Sequence, residues 1–325
     1  MKPEGLLCAF SLAPVAEIPN PSEKDPSELC PRDEAPLWLH FSLLDNRSRR
    51  YLRDHVELPE EAREALLGPD ARARAQAFSN GFVVFLGDFH RDFSSDPEAF
   101  GALRVYVSPY LMLTCRKHPL KSVERIHAKI HHGDIEADSP LELFDRLLAC
   151  LVEGFVSLAS DLADSLDDAE DRILAGRIED HASQLGQMRR LLARLRRYAG
   201  ANRTALAHLP EHIAGWTTPE ERLRLREIID RFDSVGQDLD LVTERARLLQ
   251  EEIAARLNEA TNRNLYVLSI VTVAFAPITL ITGVFGMNVG GLPFSVSHGG
   301  FWVVVCLMVI TVLSTLAMLR RAGVL

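Results

Sequence analysis

Carboxylates recur at helical spacing along one short stretch. Asp161, Asp164, Asp168 and Asp171 stand three, four and three residues apart, so in a helix they share one face. An oxygen-rich face of this kind suits hard divalent cations. It also reads as a solvated acidic face, partly balanced by the arginines between residues 186 and 203. His127, His131, His132 and Asp134 form a second group, H-x-x-x-H-H-x-D. Its i, i+4 histidines could hold zinc on a helix, or they could be solvated residues at a helix end. The third group carries no charge. Thr272, Ala276, Thr279 and Gly283, at spacing four, three and four, put hydroxyls and small side chains on one face. Such a face lines a narrow pore or marks a close helix–helix contact.

No nucleophile elbow, phosphate loop or H-E-x-x-H motif occurs, which argues against an enzyme and implies no cofactor. The five cysteines are scattered without a C-x-x-C pair, which fits free thiols in a reducing compartment. The 325 residues carry a formal charge of −9, with 47% hydrophobic and 25% charged residues. That balance excludes a disordered tail and argues against a nucleic-acid partner, whose phosphates need a basic surface.

Charge is distributed unevenly. Residues 265–285 and 301–319 contain no Asp, Glu, His, Lys or Arg. At 1.5 Å per residue each run reaches about 30 Å, the thickness of a bilayer's hydrocarbon core. Arg256 and Arg263 precede the first run, and Arg320 and Arg321 follow the second; the intervening loop 286–300 has neither Lys nor Arg. The positive-inside rule then places both termini in the cytoplasm and the loop outside.

The elements that carry these residues follow from pattern. Residues 1–138 have an α/β texture. Strands are expected at 6–12, 37–43, 81–89, 103–110 and 111–116, helices at 58–67 and 122–131, and a Pro-rich loop at 19–36. The apolar stretch 6–13 is too short for a signal peptide and is read as the first strand. Residues 139–218 read as two helices, about 139–175 and 179–208, the first capped by Ser139 with Pro140 at its first position. A stalk helix over 219–264 starts at Thr218-Pro219, with Glu220 and Glu221 suiting the helix dipole. Its apolar residues Leu225, Ile228, Phe232, Val235, Leu239, Val242, Ala246, Leu249 and Ile253 follow a 3,4 heptad seam. No Gly-Pro break separates the stalk from the first span, so one helix is expected from Pro219 to Gly286. The seam needs partners, either the two preceding helices or further copies of the chain, and oligomerisation is the natural inference. The fold class is therefore α+β: a cytoplasmic α/β domain, a helical stalk and a two-span membrane region, 265–325.

The first span ends in Gly286-Met287-Asn288, followed by Val289-Gly290-Gly291-Leu292-Pro293. A Gly-Met-Asn tripeptide closing the first of two C-terminal spans, after a very long cytoplasmic helix, resembles the CorA family of divalent-cation transporters. Within it, the outer loop looks like the zinc-transporting ZntB branch: no acid follows the tripeptide, and His298 is the loop's one ionisable group. The resemblance covers the organisation of the whole chain and is sharp over about 262–293. It implies a funnel-shaped homopentamer in a bacterial inner membrane, with the first span of each copy forming the pore wall. It implies that Asn288 rings the outer mouth with amide oxygens, Gly286 and Met287 shaping the turn. Thr279 then becomes the polar pore residue, Leu268 and Leu265 an apolar constriction, and Glu251 a residue of the cytoplasmic funnel. The cargo implied is Zn2+, with Cd2+, Ni2+ and Co2+ as congeners, driven by protons or the membrane potential. An Mg2+ or Co2+ channel on the same scaffold, or a non-conducting membrane-anchored coiled coil, are the alternatives. No Asp, Glu, His, Lys or Arg lies inside either span, so a proton-coupling side chain must lie at the ends, with Glu251, Glu252 and His298 as candidates.

Overall fold

The structure is a computed structural model that describes residues 5–12, 14–21, 24, 29, 31, 35–69, 72–91, 100–175, 181–287, 293 and 299–321. The chain divides into two compact units, Met1–Gln250 and Glu251–Leu325.

The first unit is built on a seven-stranded sheet: β1 (Leu6–Leu12), β2 (Val15–Glu17), β3 (Leu37–Ser42), β4 (Arg74–Phe78), β5 (Gly81–Phe89), β6 (Phe100–Val107) and β7 (Leu111–Arg116). Their spatial order is β2-β1-β3-β7-β6-β5-β4. Every neighbouring pair is antiparallel except β3 and β7, where Leu37 stands opposite Leu111 in parallel register. Side chains alternate across a strand, so each face needs its own cover. Helices α1 (Asn46–Asp54) and α2 (Glu60–Leu67) bury Tyr51, Leu52 and Leu66 with Leu39, Phe41, Val83 and Phe85 on one face. Phe82 alternates to the other face and meets Phe144 edge-on, ring centroids 5.2 Å apart. Phe144 belongs to α4 (Pro140–Leu174), which follows α3 (Lys121–His131) and precedes α5 (His181–Leu206) and the short α6 (Leu209–His212).

Most expected elements lie within a few residues of their predicted places. The sixth strand is displaced, to Phe100–Val107 rather than 103–110. Ser108-Pro109-Tyr110 is a turn into β7, closed by the Ser108 N–H donating to the Leu111 carbonyl at 2.9 Å, and Pro109 has no N–H for a ladder. Four elements were not expected: α1, β2, β4 and the short α6. The sequence of α1, NRSRRYLRD, is almost wholly polar, yet Asp45 caps it by accepting from the Arg47 N–H at 2.8 Å. β2 is three residues long, and β4 is an edge strand without a clean apolar alternation.

The helical predictions rest on their caps. Ser139 accepts from the Glu142 N–H at 3.1 Å, and Pro140 opens α4. Thr218 and Glu221 form a reciprocal capping box: the Glu221 N–H donates to the Thr218 hydroxyl oxygen at 3.2 Å, and the Thr218 N–H donates to the Glu221 carboxylate at 2.8 Å. From there α7 (Pro219–Phe285) runs unbroken for 67 residues, about 100 Å at 1.5 Å per residue.

Every residue of the heptad seam, Leu225 through Ile253, is buried. Within the first unit its partners are α4 and α5 of the same chain. Phe232 meets Phe155 of α4 at 6.1 Å, Arg196 and Arg203 of α5 pair with Asp240 and Asp233, and Arg245 pairs with Asp167 and Glu170 of α4. Of the two partners the pattern allowed, the preceding helices cover the seam from Leu225 to Leu249, so that stretch by itself is no argument for further copies. The arginine-rich α5 is also neutralised differently from the expectation: Arg196 and Arg203 face aspartates of α7 rather than the acids of α4.

The second unit contains the rest of α7 and α8 (Gly300–Arg321). Both helices are long and apolar enough to cross a membrane, and neither apolar window is buried in the chain. A soluble core helix would be covered; here Leu280, Phe301 and Trp302 stand about 70% exposed. Such surfaces are unfavourable in water and natural in lipid or against other spans.

Candidate ion pathway

Thr272, Ala276, Thr279 and Gly283 line one open groove along the apolar part of α7, about 870 Å³ in volume, with Val271, Phe275, Leu280, Val284 and Met287 at its rims. The expected stripe is therefore one continuous surface, and all of it is exposed in the single chain. The aromatic and aliphatic rims were not singled out from the sequence, although their offsets from the small residues place them beside the stripe on the same helix.

The threonine hydroxyls have a defined polarity. Thr272 donates to the Leu268 carbonyl at 2.8 Å and Thr279 to the Phe275 carbonyl at 3.0 Å. With its proton committed to the helix, each oxygen keeps lone pairs to accept hydrogen bonds. An acceptor surface is what the water shell of a hydrated cation requires, because cation-bound waters point their hydrogens outward. Pro277 has no N–H to give the Val273 carbonyl, one helix turn back, yet the helix continues through it.

At the C-terminal end of α7, the Gly286 N–H closes the helix on the Thr282 carbonyl at 2.8 Å. A Cβ on Gly286 would stand 2.8 Å from that same backbone oxygen, closer than side chains tolerate, so the close approach itself calls for glycine. Met287 follows, exposed, with its N–H donating to the Val284 carbonyl at 3.4 Å. Asn288 and His298 lie outside the described residues. At the other end, Leu265 and Leu268 are exposed on the helix, as are Glu251 and Glu252; Glu252 is bridged to Arg256.

The two metal-ligand readings of the cytoplasmic part are placed as follows. Among the described residues, no three His, Cys, Asp or Glu side chains come together as a metal-holding group. Asp161, Asp164, Asp168 and Asp171 are all exposed on α4, beside Asp167 and Glu170, which are taken by Arg245. His127 packs edge-on against Phe10, centroids 5.5 Å apart, and His131 lies 3.6 Å from the Glu17 carboxylate. His127 also borders a cavity of about 470 Å³ with Cys8, His40 and Arg116. Neither neighbour is a ready ligand. Burial pushes the Cys8 thiol up to about 12, and His40 accepts from the Arg116 Nε–H through Nε2 at 2.9 Å. Burial, with the Arg116 charge beside it, holds His40 neutral, at about 3.

Residues 33–321 match the family described as CorA-like Mg2+ transporter protein. The chain belongs to the CorA family. Relatives named zinc transport protein ZntB include that of Pectobacterium atrosepticum, 29% identical over 289 residues, which are 89% of this chain and 88% of the relative. The protein of that name from Photorhabdus laumondii is 28% identical over 84% of this chain and 83% of its own length. Among solved structures, the full-length CmaX protein superposes with a TM-score of 0.78 at 28% identity, covering 98% of this chain and 97% of that one. The complete CorA magnesium transporter of Methanocaldococcus jannaschii superposes at 0.81 with 19% identity, over 98% of both chains, a likeness of fold. The CorA organisation thus extends through the sheet domain, the long helix and both apolar helices.

Proposed function

We propose that this CorA-family protein transports Zn2+ into the cell, through a pore formed by the first spans of five copies. The observation that carries the reading is the uncharged acceptor groove of Thr272, Ala276 and Thr279, reaching Met287 just before Asn288 in the sequence, in a chain whose named relatives over nearly its whole length are zinc transport proteins. Both apolar helices are uncovered in the single chain, which supports assembly with further copies in a bilayer.

In this reading the ion passes with its waters. Zinc prefers nitrogen and sulfur ligands, and the groove offers hydroxyl oxygens and apolar side chains, so it orients a hydration shell without stripping it. Asn288 supplies amide oxygens at the outer mouth, Thr279 the next polar ring, and Leu268 and Leu265 an apolar constriction that closes by dewetting. Cd2+, Ni2+ and Co2+ share the charge and strong hydration, and should follow. The driving force is the membrane potential or a proton gradient; with no Asp, Glu, His, Lys or Arg inside either span, coupled protons travel through pore water or by way of Glu251, Glu252 or His298 at the ends. Both termini are cytoplasmic, and the acidic face of α4 and His127 with His131 remain candidate cation sites that would need ligands from a second copy.

An Mg2+ or Co2+ channel is the second reading, favoured by the family's description. Uptake by proteoliposomes, with pH and voltage varied independently and Zn2+ competed against Mg2+, separates the two. Zinc uptake that persists in excess Mg2+ supports the first; magnesium uptake without zinc uptake supports the second; no uptake of either favours a non-conducting scaffold.

A further inference from the structure

Asp145 lies in the second turn of α4, in a run of apolar residues, and is only 5% exposed. Both of its carboxylate oxygens are buried, and neither accepts a hydrogen bond. Buried carboxylates ordinarily collect two or more donors, because an ionised group without them gives up its hydration for nothing. The cation facing it is Arg224 of α7, whose Nε stands 3.7 Å from Oδ2, too far for a hydrogen bond, and whose side chain is 49% exposed. Two further charges act on it, and both are acids: Glu221 from the first turn of α7, and Glu142 one turn earlier on α4. Glu142 is itself within 3.5 Å of Arg146 on the solvent side of α4. The site therefore contains three carboxylates around one half-solvated guanidinium, with the most buried carboxylate the least well bonded.

We propose that Asp145 and Arg224 form a proton-operated latch between α4 and the first turns of α7: a proton on Asp145 lets α7 dock tightly on α4, and its loss loosens that junction. The location gives the latch leverage, because α7 is the single helix that continues into the first apolar segment. Burial, reinforced by Glu221 and Glu142 and opposed by Arg224, lifts the Asp145 carboxyl to about 7. A carboxyl raised in the docked state binds its proton there at pH values where the undocked, hydrated group has lost it. Docking is therefore strongest at low pH and weakens as pH rises from about 4, the ordinary aspartate value, to about 7. Above that both states are ionised and the loss is complete. Acidification of the cytoplasm tightens the junction whatever cation the protein carries.

The test is hydrogen–deuterium exchange of the amides at 222–226 in the full chain, in detergent or nanodiscs, from pH 5.5 to 8.5 after correction for intrinsic exchange. The wild type should gain protection as pH falls through about 7. Asp145→Asn, which is isosteric and uncharged, should keep the low-pH protection across the whole range. Arg224→Gln should move the midpoint to higher pH, and Glu221→Gln, which preserves the capping box, to lower pH. These opposite shifts decide the matter even if Asp145→Asn folds poorly. Protection that is independent of pH in the wild type, an Asn variant that follows the wild-type curve, or midpoints unmoved by the Arg224 and Glu221 substitutions would each overturn the proposal.

Discussion

The side-chain amide of Asn202, on α5, pairs with both the N–H and the carbonyl of Gly87, two residues before the end of β5. Its Nδ2 donates to the Gly87 carbonyl at 2.9 Å, and its Oδ1 accepts from the Gly87 N–H at 2.7 Å. The reason lies at the sheet edge. β4 ends at Arg74 opposite Phe85, so the next residues of β5 have no strand on that side, and the amide stands in for one. Asn202 is fully buried. Asn202→Ala leaves a buried N–H and a buried carbonyl unpaired, each worth about 1–3 kcal/mol. The variant should lose roughly 2–5 kcal/mol of stability, read by chemical denaturation of the full chain in detergent.

Asp88 is a buried carboxylate of the opposite kind to Asp145, because it is fully bonded. It accepts from the Phe89 N–H at 2.7 Å, the Ser122 N–H at 3.2 Å and the Ser122 hydroxyl at 2.5 Å. Burial still outweighs these bonds and raises it to about 6. The folded state then holds a proton between about pH 4 and 6 that the unfolded chain has released, so stability falls as pH rises across that window and levels off above it. Ser122→Ala removes a bond to the ionised form and should extend the fall beyond pH 6. Denaturation midpoints against pH, in an Asp145→Asn background that removes the other buried carboxyl, would show it; an unchanged profile would refute the assignment.

Gly286→Ala tests the end of α7. The added methyl group meets the Thr282 carbonyl at 2.8 Å, so the last turn must open. Assembly and expression should be preserved, while transport falls sharply, because in the proposed pathway the helix end that leads into Asn288 is displaced. Uptake assays on matched amounts of reconstituted protein measure this, and wild-type uptake by the alanine variant would contradict it.

Thr279→Val keeps the shape of the groove and removes one acceptor per copy. A hydrogen bond of about 0.5–1.5 kcal/mol corresponds to a roughly 2- to 10-fold loss of uptake rate. Thr279→Ser should retain most activity. Equal rates for Val and Ser would remove Thr279 from the pathway.

Arg245 bridges Asp167 at 2.5 Å and Glu170 at 3.2 Å, but all three side chains are about half exposed. Solvent screens such pairs, and Arg245→Ala should cost no more than about 1 kcal/mol. The aromatic contact of Phe232 with Phe155, farther along the same two helices, is the greater stabiliser: Phe232→Ala should cost about 3–5 kcal/mol.

What the sequence discloses follows how local the cause is. The caps at Ser139 and Thr218 and the seam from Leu225 to Ile253 are set by residues a few positions apart, and they are where pattern places them. The apolar helices are equally legible, because twenty uncharged residues have few alternatives. α1 and β4 were invisible because their stability comes from outside: α1 from Tyr51 and Leu52 sinking into a distant sheet, β4 from pairing with β5. The same holds for the groove. Its small-residue stripe is a periodicity and could be read, whereas the backbone crowding at Gly286 and the orphaned oxygens of Asp145 depend on where other atoms come to rest.

The most direct measurement is radiolabelled Zn2+ uptake into liposomes containing the purified full chain, beside Asn288→Ala. The account predicts saturable zinc uptake in the wild type and at least a roughly tenfold fall in the variant, equivalent to about 1.4 kcal/mol at the mouth. Absence of zinc uptake, or an Asn288→Ala protein that transports as the wild type does, would contradict it.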